Sequence, residues 1–498
     1  MIAARTGQAS IALSVLLTFG VALLGPSAFQ PALPGSAGQP PYDLGAAPGP
    51  HLVTALVAAA IVAGTAGLGL ALWALARGWR PRPRPLLVAG LVATAALALV
   101  PSTGSGDHLS YAAYGRIAAL GLDPYVVSPD ELPGDPVVGA AEPPWTWTTS
   151  IYGPLATAAQ LLASWIGGDS VRLTVFVMAV LNALAFAATG LLLHRLTRGD
   201  EAAQARAALL WTLNPLLLYE LVAGMHIDTI ATVFAVAALG VARAGTRRAE
   251  AGAGALVGLA VSVKVTTGLA GAGLLWAARR SRPALLALIG GGLVAVLVTY
   301  GLAGPHALDQ VRRASKYVSL ATPWHLVAPW LDATLGKGIS RPAIGLLALA
   351  LTVALLVLLW RALPRHPGPA GPVAAWADGP VRFGFAAVLA WLMAAAYVLP
   401  WYDGLAWALL ALLPLSRFDG LVLARTALLA VAYLPARTVT MPGDLVWLVD
   451  VLRAQVVPWL LTALLVLTVV LARAHSRRSP AEPRPPAPSP ESRSPSRS

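Results

Sequence analysis

Cysteine is absent from the 498 residues. That excludes a disulfide framework, a thiolate metal site and a cysteine nucleophile. Charge is scarce as well: Asp, Glu, Lys and Arg make up 11%, against roughly 25% in an ordinary soluble domain. Apolar residues make up 57%. A soluble core cannot absorb that much Leu, Ala and Val, so apolar surface must face lipid. A soluble enzyme, a disordered chain and a fibrous repeat are therefore excluded. The excess of 35 Lys and Arg over 22 Asp and Glu, a formal +13, is no nucleic-acid signal, because no basic patch is interleaved with aromatics. Also missing are a Walker sequence, G-x-S-x-G, H-E-x-x-H and any nucleotide-binding glycine pattern. Nothing points to a cytosolic nucleotide-sugar site, and no fixed-period repeat recurs.

What is present is a series of long apolar runs, several able to cross ~30 Å of hydrocarbon as helices. Spans are expected near 9–25, 52–76, 86–101, 172–194, 207–222, 228–243, 284–303, 342–363, 383–399, 403–416, 420–435 and 455–473. Ten-residue alternating segments do not recur, so barrel strands are not expected. Arg5, an apolar run and Pro-Ser-Ala resemble a signal peptide. The long run and poor cleavage site favour an uncleaved first span. The fold class expected is all-α: a polytopic integral membrane protein of about 13–14 transmembrane helices, counting a half-length hairpin. A single transmembrane domain covers 1–473, and a Pro-, Ser- and Arg-rich disordered cytoplasmic tail covers 474–498.

Orientation follows from the basic loops. Arg5 and the clusters at 77–84, 195–206, 243–248, 279–282, 361–382, 417–425 and 473–497 hold 25 of the 35 basic residues. Placing them inside puts both termini in the cytoplasm of a multi-pass plasma-membrane protein. Two inferences follow. Counting 152–168 as a span would put the 195–206 cluster outside, so it is expected as a surface helix. Basic loops flank 252–278 on both sides, so that segment must go in and come back as two half-helices meeting near Lys264. Non-helical backbone at that depth is tolerated only against protein or a watery cavity. Two long loops then face outward. The first, 102–171 with its surface helices, is acidic through 151. The second, 304–341, holds Arg312, Arg313, Lys316, Lys337 and Arg341 with His306 and His325. Five cations there run against the orientation bias and invite a functional reason.

Chemistry concentrates at a few places. Gly106-Asp107-His108-Leu109-Ser110-Tyr111-Ala112-Ala113-Tyr114-Gly115-Arg116 fits an interfacial helix with Asp107 at its N-terminal end. There the carboxylate either caps the helix or acts catalytically. Tyr125 and Tyr152 read as interfacial anchors in turns. Pro215, after Asn214, should kink its span. His226 and Asp228 form either a polar pair at a cavity mouth or a turn with an N-cap; their spacing is no metal signature. Lys264 is the strongest single signal, because a membrane-embedded lysine is costly and functional by default. Trp401, Tyr402 and Asp403 stand at the outer ends of two spans, and Trp324-His325 stands similarly. The Trp and Tyr are ordinary for that belt; Asp403 is not.

The run Gly106–Tyr125 resembles the first outer loop of the polyprenol-phosphate-mannose-dependent α-(1→6)-mannosyltransferases, in the GT-C superfamily of membrane glycosyltransferases. So do Tyr152-Gly-Pro-Leu155, Asn214-Pro215 with Gly224-Met-His-Ile-Asp228, Lys264, and Pro400-Trp-Tyr402. The resemblance runs from about 86 to 416. It implies mannose transfer from a polyprenyl-phosphate sugar donor to a glycolipid or mannan acceptor, within the bilayer and on its outer side, without nucleic acid. Asp107 matches the first-loop acid and would act as general base. Lys264, helped by Arg116 or by the cations at 312–316, Lys316 among them, would stabilise the departing phosphate. Tyr111, Tyr152, His226, Asp228, His325, Trp401, Tyr402 and Asp403 complete the expected substrate-binding set. One displacement would turn a β donor linkage into an α product. No nucleotide or redox cofactor is implied. Many superfamily members have two adjacent first-loop acids, whereas His108 follows Asp107 here, which weakens a metal-dependent reading; no metal ligand is assigned and a divalent metal stays open. Asp403 also departs from the family pattern and is expected to matter for the acceptor.

Three other functions compete. A lipid-sugar transporter or flippase should show two matching halves, each with interrupted spans, and only one interrupted hairpin is seen. A related enzyme could use arabinose or glucose, since nothing in the residues reads a sugar's hydroxyl pattern. A non-catalytic scaffold has no use for Lys264.

Overall fold

Asn214 and Lys264 each interrupt an apolar run, and these two interruptions shape the centre of the molecule. The computed structural model describes residues 2–36, 38–365, 376–435, 437, 439 and 441–478. Among them every regular element is helical, and the one β contact is an isolated bridge between Ser27 and Gln30. The chain begins α1 (Ile2–Leu24), α2 (Pro50–Ala76), α3 (Pro83–Ala98), α4 (Asp107–Ala119), α5 (Pro154–Gly167) and α6 (Val171–Leu196). It continues α7 (Glu201–Leu210), α8 (Pro215–Leu217), α9 (Asp228–Ala242), α10 (Arg247–Val263), α11 (Gly271–Ala278) and α12 (Arg282–Ala303). Two short helices follow, α13 (Asp309–Ala314) and α14 (Ala328–Leu335). The last are α15 (Lys337–Ala362), α16 (Arg382–Ala394), α17 (Gly404–Leu410), α18 (Arg417–Ala432) and α19 (Val457–Arg478). Residues 479–498 of the expected tail lie outside the described residues.

Among the described residues, six helical runs are long and apolar enough to cross a membrane: α1, α2, α6, α12, α15 and Gly443–Ala474. The all-α, polytopic expectation holds. The most apolar stretch of α12 is only 6% buried within the protein, against 50% for α6. Lipid must cover the former, while protein covers half of the latter. α3, α9 and the run Val265–Ala278 are shorter apolar helices.

The run expected as one span at 207–222 is split. α7 stops at Leu210, and the Asn214 side chain accepts from the Leu216 and Leu217 amides, at 3.1 and 3.4 Å, to cap a new helix with Pro215 at its first position. That helix widens at once into a π-helical segment, Leu218–Ala223, a geometry frequent at functional sites.

The break at Lys264 makes a hairpin. α10 ends at Val263, and Lys264 is extended (φ −152°, ψ 119°) before a 3₁₀ turn, Val265–Ala270. Gly268 faces Val261 and Gly271 faces Val257, an antiparallel pairing. α12 then runs parallel to α10: Gly254 meets Leu288, Gly258 meets Ala295, and Ser262 Oγ lies 2.6 Å from Thr299 Oγ1. Glycines four apart on α10 allow this close approach. The basic ends at 243–248 and 279–282 therefore lie at the same end of the molecule.

Because the chain has no native cysteine, single Arg248→Cys and Arg280→Cys variants report this directly. Both are expected to react with an impermeant maleimide from one side of the membrane, and Lys316→Cys from the other. Labelling of Arg248→Cys and Arg280→Cys from opposite sides would make 252–278 a full crossing.

Candidate active site

The turn before α4 sets the position of Asp107. The Thr103 amide donates to the Ala223 carbonyl and the Gly104 amide to that of Phe29, both at 2.8 Å. Gly104 adopts φ 108°, which a side chain would strain. Asp107 follows as the first residue of α4, with Gly106 in the capping position and no side-chain cap. The capping role is thus unfilled, and the carboxyl turns to the protein interior. Asp107 Oδ2 lies 3.7 Å from His226 Nε2, and the Trp145 side chain also reaches the carboxyl. Burial pushes this carboxyl up to about 6, against the pull of Lys264 and with the push of Asp228.

His226 is aimed by its neighbours. Met225 before it takes φ 54°, an unusual conformation for a long side chain. The imidazole Nδ1 donates to the Glu220 carbonyl at 2.6 Å, which leaves Nε2 to accept from Ser105 Oγ at 3.1 Å. The ring stacks on Trp401 with centroids 3.6 Å apart and planes at 10°. Burial, reinforced by Lys264, holds the imidazole down to about 3, although the Glu220 carbonyl favours protonation. His226 is therefore a neutral, oriented acceptor.

Asp228 begins α9, and its Oδ1 accepts from Lys264 Nζ at 2.6 Å. The same ammonium sits 3.4 Å over the Tyr402 ring, a cation–π contact. The Gly153 amide donates to the Val263 carbonyl at 3.0 Å, and a Cβ on Gly153 would collide with the Ser262 carbonyl. Tyr152 is thereby pinned beside the hairpin tip, in edge contact with Tyr111 at 4.9 Å. Tyr111 also feels the charges of Asp107 and Asp228. Asp107, Tyr111, Tyr152, His226, Asp228, Lys264, Trp401 and Tyr402 thus converge, although they come from five separate stretches of chain.

Four expected residues are placed elsewhere. Arg116 is held by Asp135, at 2.8 Å, and by Asp169. Lys316 is exposed, and His325 is half-buried in the field of Arg341. Asp403 is fully buried against Arg425, with Thr426 Oγ1 donating to it at 2.7 Å. It faces α18 and not the cluster, so its part is to anchor the turn bearing Trp401 and Tyr402. Arg425 correspondingly lies inside α18 and is no loop charge. Glu220 was missed, yet the rule that singled out Lys264 applies to it: a carboxyl within the apolar run 215–223.

Residues 14–280 match the family model described as "Alpha-(1->6)-mannopyranosyltransferase, N-terminal domain". The chain belongs to this family. It is 31% identical over 173 residues to alpha-(1->6)-mannopyranosyltransferase B of Corynebacterium glutamicum, covering 32% of this chain and 29% of that one. It is 33% identical over 179 residues to alpha-(1->6)-mannopyranosyltransferase A of Mycobacterium tuberculosis, covering 34% and 33%. These matches span about a third of the relatives' length. The family stretch contains Asp107, Tyr111, Tyr152, His226, Asp228 and Lys264; Trp401, Tyr402 and Asp403 lie beyond it.

Removing one partner of the buried Asp403–Arg425 pair strands the other charge. Arg425→Met is expected to cost about 3–5 kcal/mol, and the Asp403→Leu/Arg425→Met double variant to recover most of it. Thermal unfolding of the solubilised chain measures both. An equal loss in the single and double variants would mean that the pair does not hold the turn.

Proposed function

We propose that this chain is a membrane glycosyltransferase that transfers mannose from polyprenyl-phosphate mannose to a mannan or lipoglycan acceptor, forming an α-(1→6) linkage on the extracytoplasmic side. The observation that carries the reading is the convergence of Asp107 with the Asp228–Lys264 pair. A general base and a cation near the departing phosphate are what one displacement at a sugar phosphate requires. Membership in the family supports the sugar and the linkage.

On this reading the reaction is a single displacement. The acceptor hydroxyl loses its proton to Asp107 as its oxygen bonds to the anomeric carbon. The bond from that carbon to the phosphate oxygen breaks, and its electron pair leaves with the phosphate. Lys264 has three N–H donors. One goes to Asp228 and one face rests on Tyr402, so the remaining donor capacity would serve the leaving group. Inversion turns a β donor linkage into an α product. The neutral His226 gives Asp107 a polar neighbour without adding a competing charge.

Asp107→Asn keeps the shape and removes the base. With polyprenyl-phosphate mannose and a short α-(1→6)-mannoside acceptor, the variant is expected to lose about 10²–10⁴-fold in rate while still binding donor. Full activity in this variant would overturn the assignment of the base. In the unaltered enzyme, kcat/KM should fall on the acid side of about 6, where the raised Asp107 carboxyl takes up a proton. That acid limb should disappear in Asp107→Asn, and its persistence would place the titrating group elsewhere.

A further inference from the structure

Glu220 is 5% exposed, and among the described residues no hydrogen bond or ion pair reaches its carboxyl. A buried carboxyl without a partner is costly, above all in a membrane segment. The π-helical stretch that holds it is stabilised through its main chain, by the bond from His226 Nδ1 to the Glu220 carbonyl. Nothing in that bond requires an acidic side chain. The side chain lines a narrow recess with Thr103, Ser105, Tyr219, His226, Trp401 and Tyr433.

The chemistry of this recess differs from that around Lys264. Its walls carry hydroxyls, aromatic rings and one carboxyl, and no Lys or Arg is among them. A phosphate would find no counter-charge here. A sugar hydroxyl can hydrogen-bond to the buried carboxyl and so give it the partner it lacks. The recess has room for about one water-sized group, so a single hydroxyl enters while the ring that bears it stays outside. His226 and Ser105 separate the recess from Asp107.

We propose that Glu220 is a binding residue for the acceptor, taking a hydrogen bond from one non-reacting hydroxyl of the acceptor sugar. The donor phosphate is then sorted to the Lys264 side and the acceptor to the Glu220 side, with Asp107 between them. The identity of the hydroxyl-bearing ligand rests on the mannosyl-transfer reading.

The test is the binding of short α-(1→6)-mannosides to the full-length protein without donor, followed by transfer assays. The mannosides are the parent and a series each lacking one hydroxyl. One deoxy analogue is expected to bind the unaltered protein about tenfold or more weakly, since a site built around a hydroxyl rejects the analogue without it. Glu220→Leu should bind the parent mannoside as weakly as that analogue, should no longer distinguish the two, and should keep the donor KM. Glu220→Gln, which retains an acceptor oxygen, should fall between and serves where the Leu variant does not fold. Unchanged acceptor binding in both variants overturns the proposal, as does a deoxy penalty that persists in the variant that folds. An unaltered protein that binds mannosides through Glu220 but transfers no mannose would overturn the proposed reaction and leave the recess assignment standing.

Discussion

A lysine ammonium set among apolar helices has to find a carboxylate, and the centre of this protein is arranged around that need. Lys264 finds Asp228. For the two to meet, α10 must stop at Val263, the chain must turn, and α9 must begin where its first residue can reach across. The uncompensated charge would cost at least about 2.5–3.5 kcal/mol at mid-membrane. Other buried cations are met by carboxylates, by main-chain carbonyls or by both. Arg206 is shared between Asp419 and the Leu410 and Leu413 carbonyls, and Arg453 donates to the Ala432 and Pro435 carbonyls. Each guanidinium spends its fork of donors on groups that would otherwise be orphaned at helix ends.

The Pro400–Asp403 turn links this electrostatic frame to the site. Within four residues it stacks Trp401 on His226, lays Tyr402 under Lys264 and buries Asp403 against Arg425. Trp407 donates to Thr426, which in turn donates to Asp403. A polar chain in a dry interior thus fixes two aromatic faces, each against a different charged or polar partner. Such chains are rigid when every member is satisfied.

The hairpin at Lys264 was readable in the sequence because two basic loops imposed it. Asp107, His226 and Asp228 were readable as polar residues at the ends of apolar runs, with capping as the competing role. Partners were not readable. Asp403 looked like a site acid until Arg425, 22 positions away, proved to neutralise it. Arg116 looked free to bind phosphate, yet Asp135 and Asp169 occupy it. The positions of single charges are set by local pattern, but pairing is set by which helices pack together, and no periodicity encodes that. Met225 in the left-handed region and the π-helical stretch before it were equally out of reach, since Pro215 and Gly224 mark a break in the helix but not its kind. Glu220 was in reach and passed over, its charge hidden in an otherwise ordinary hydrophobic run.

The parallel course of α10 and α12 has a consequence for how such a chain can change over time. A segment that enters and leaves at one end contributes no crossing, so its gain, loss or replacement leaves the parity of the topology untouched. Every helix downstream keeps its orientation. A buried lysine carried on such a hairpin could therefore be acquired, moved or exchanged as a module, without re-threading the rest of the protein through the membrane.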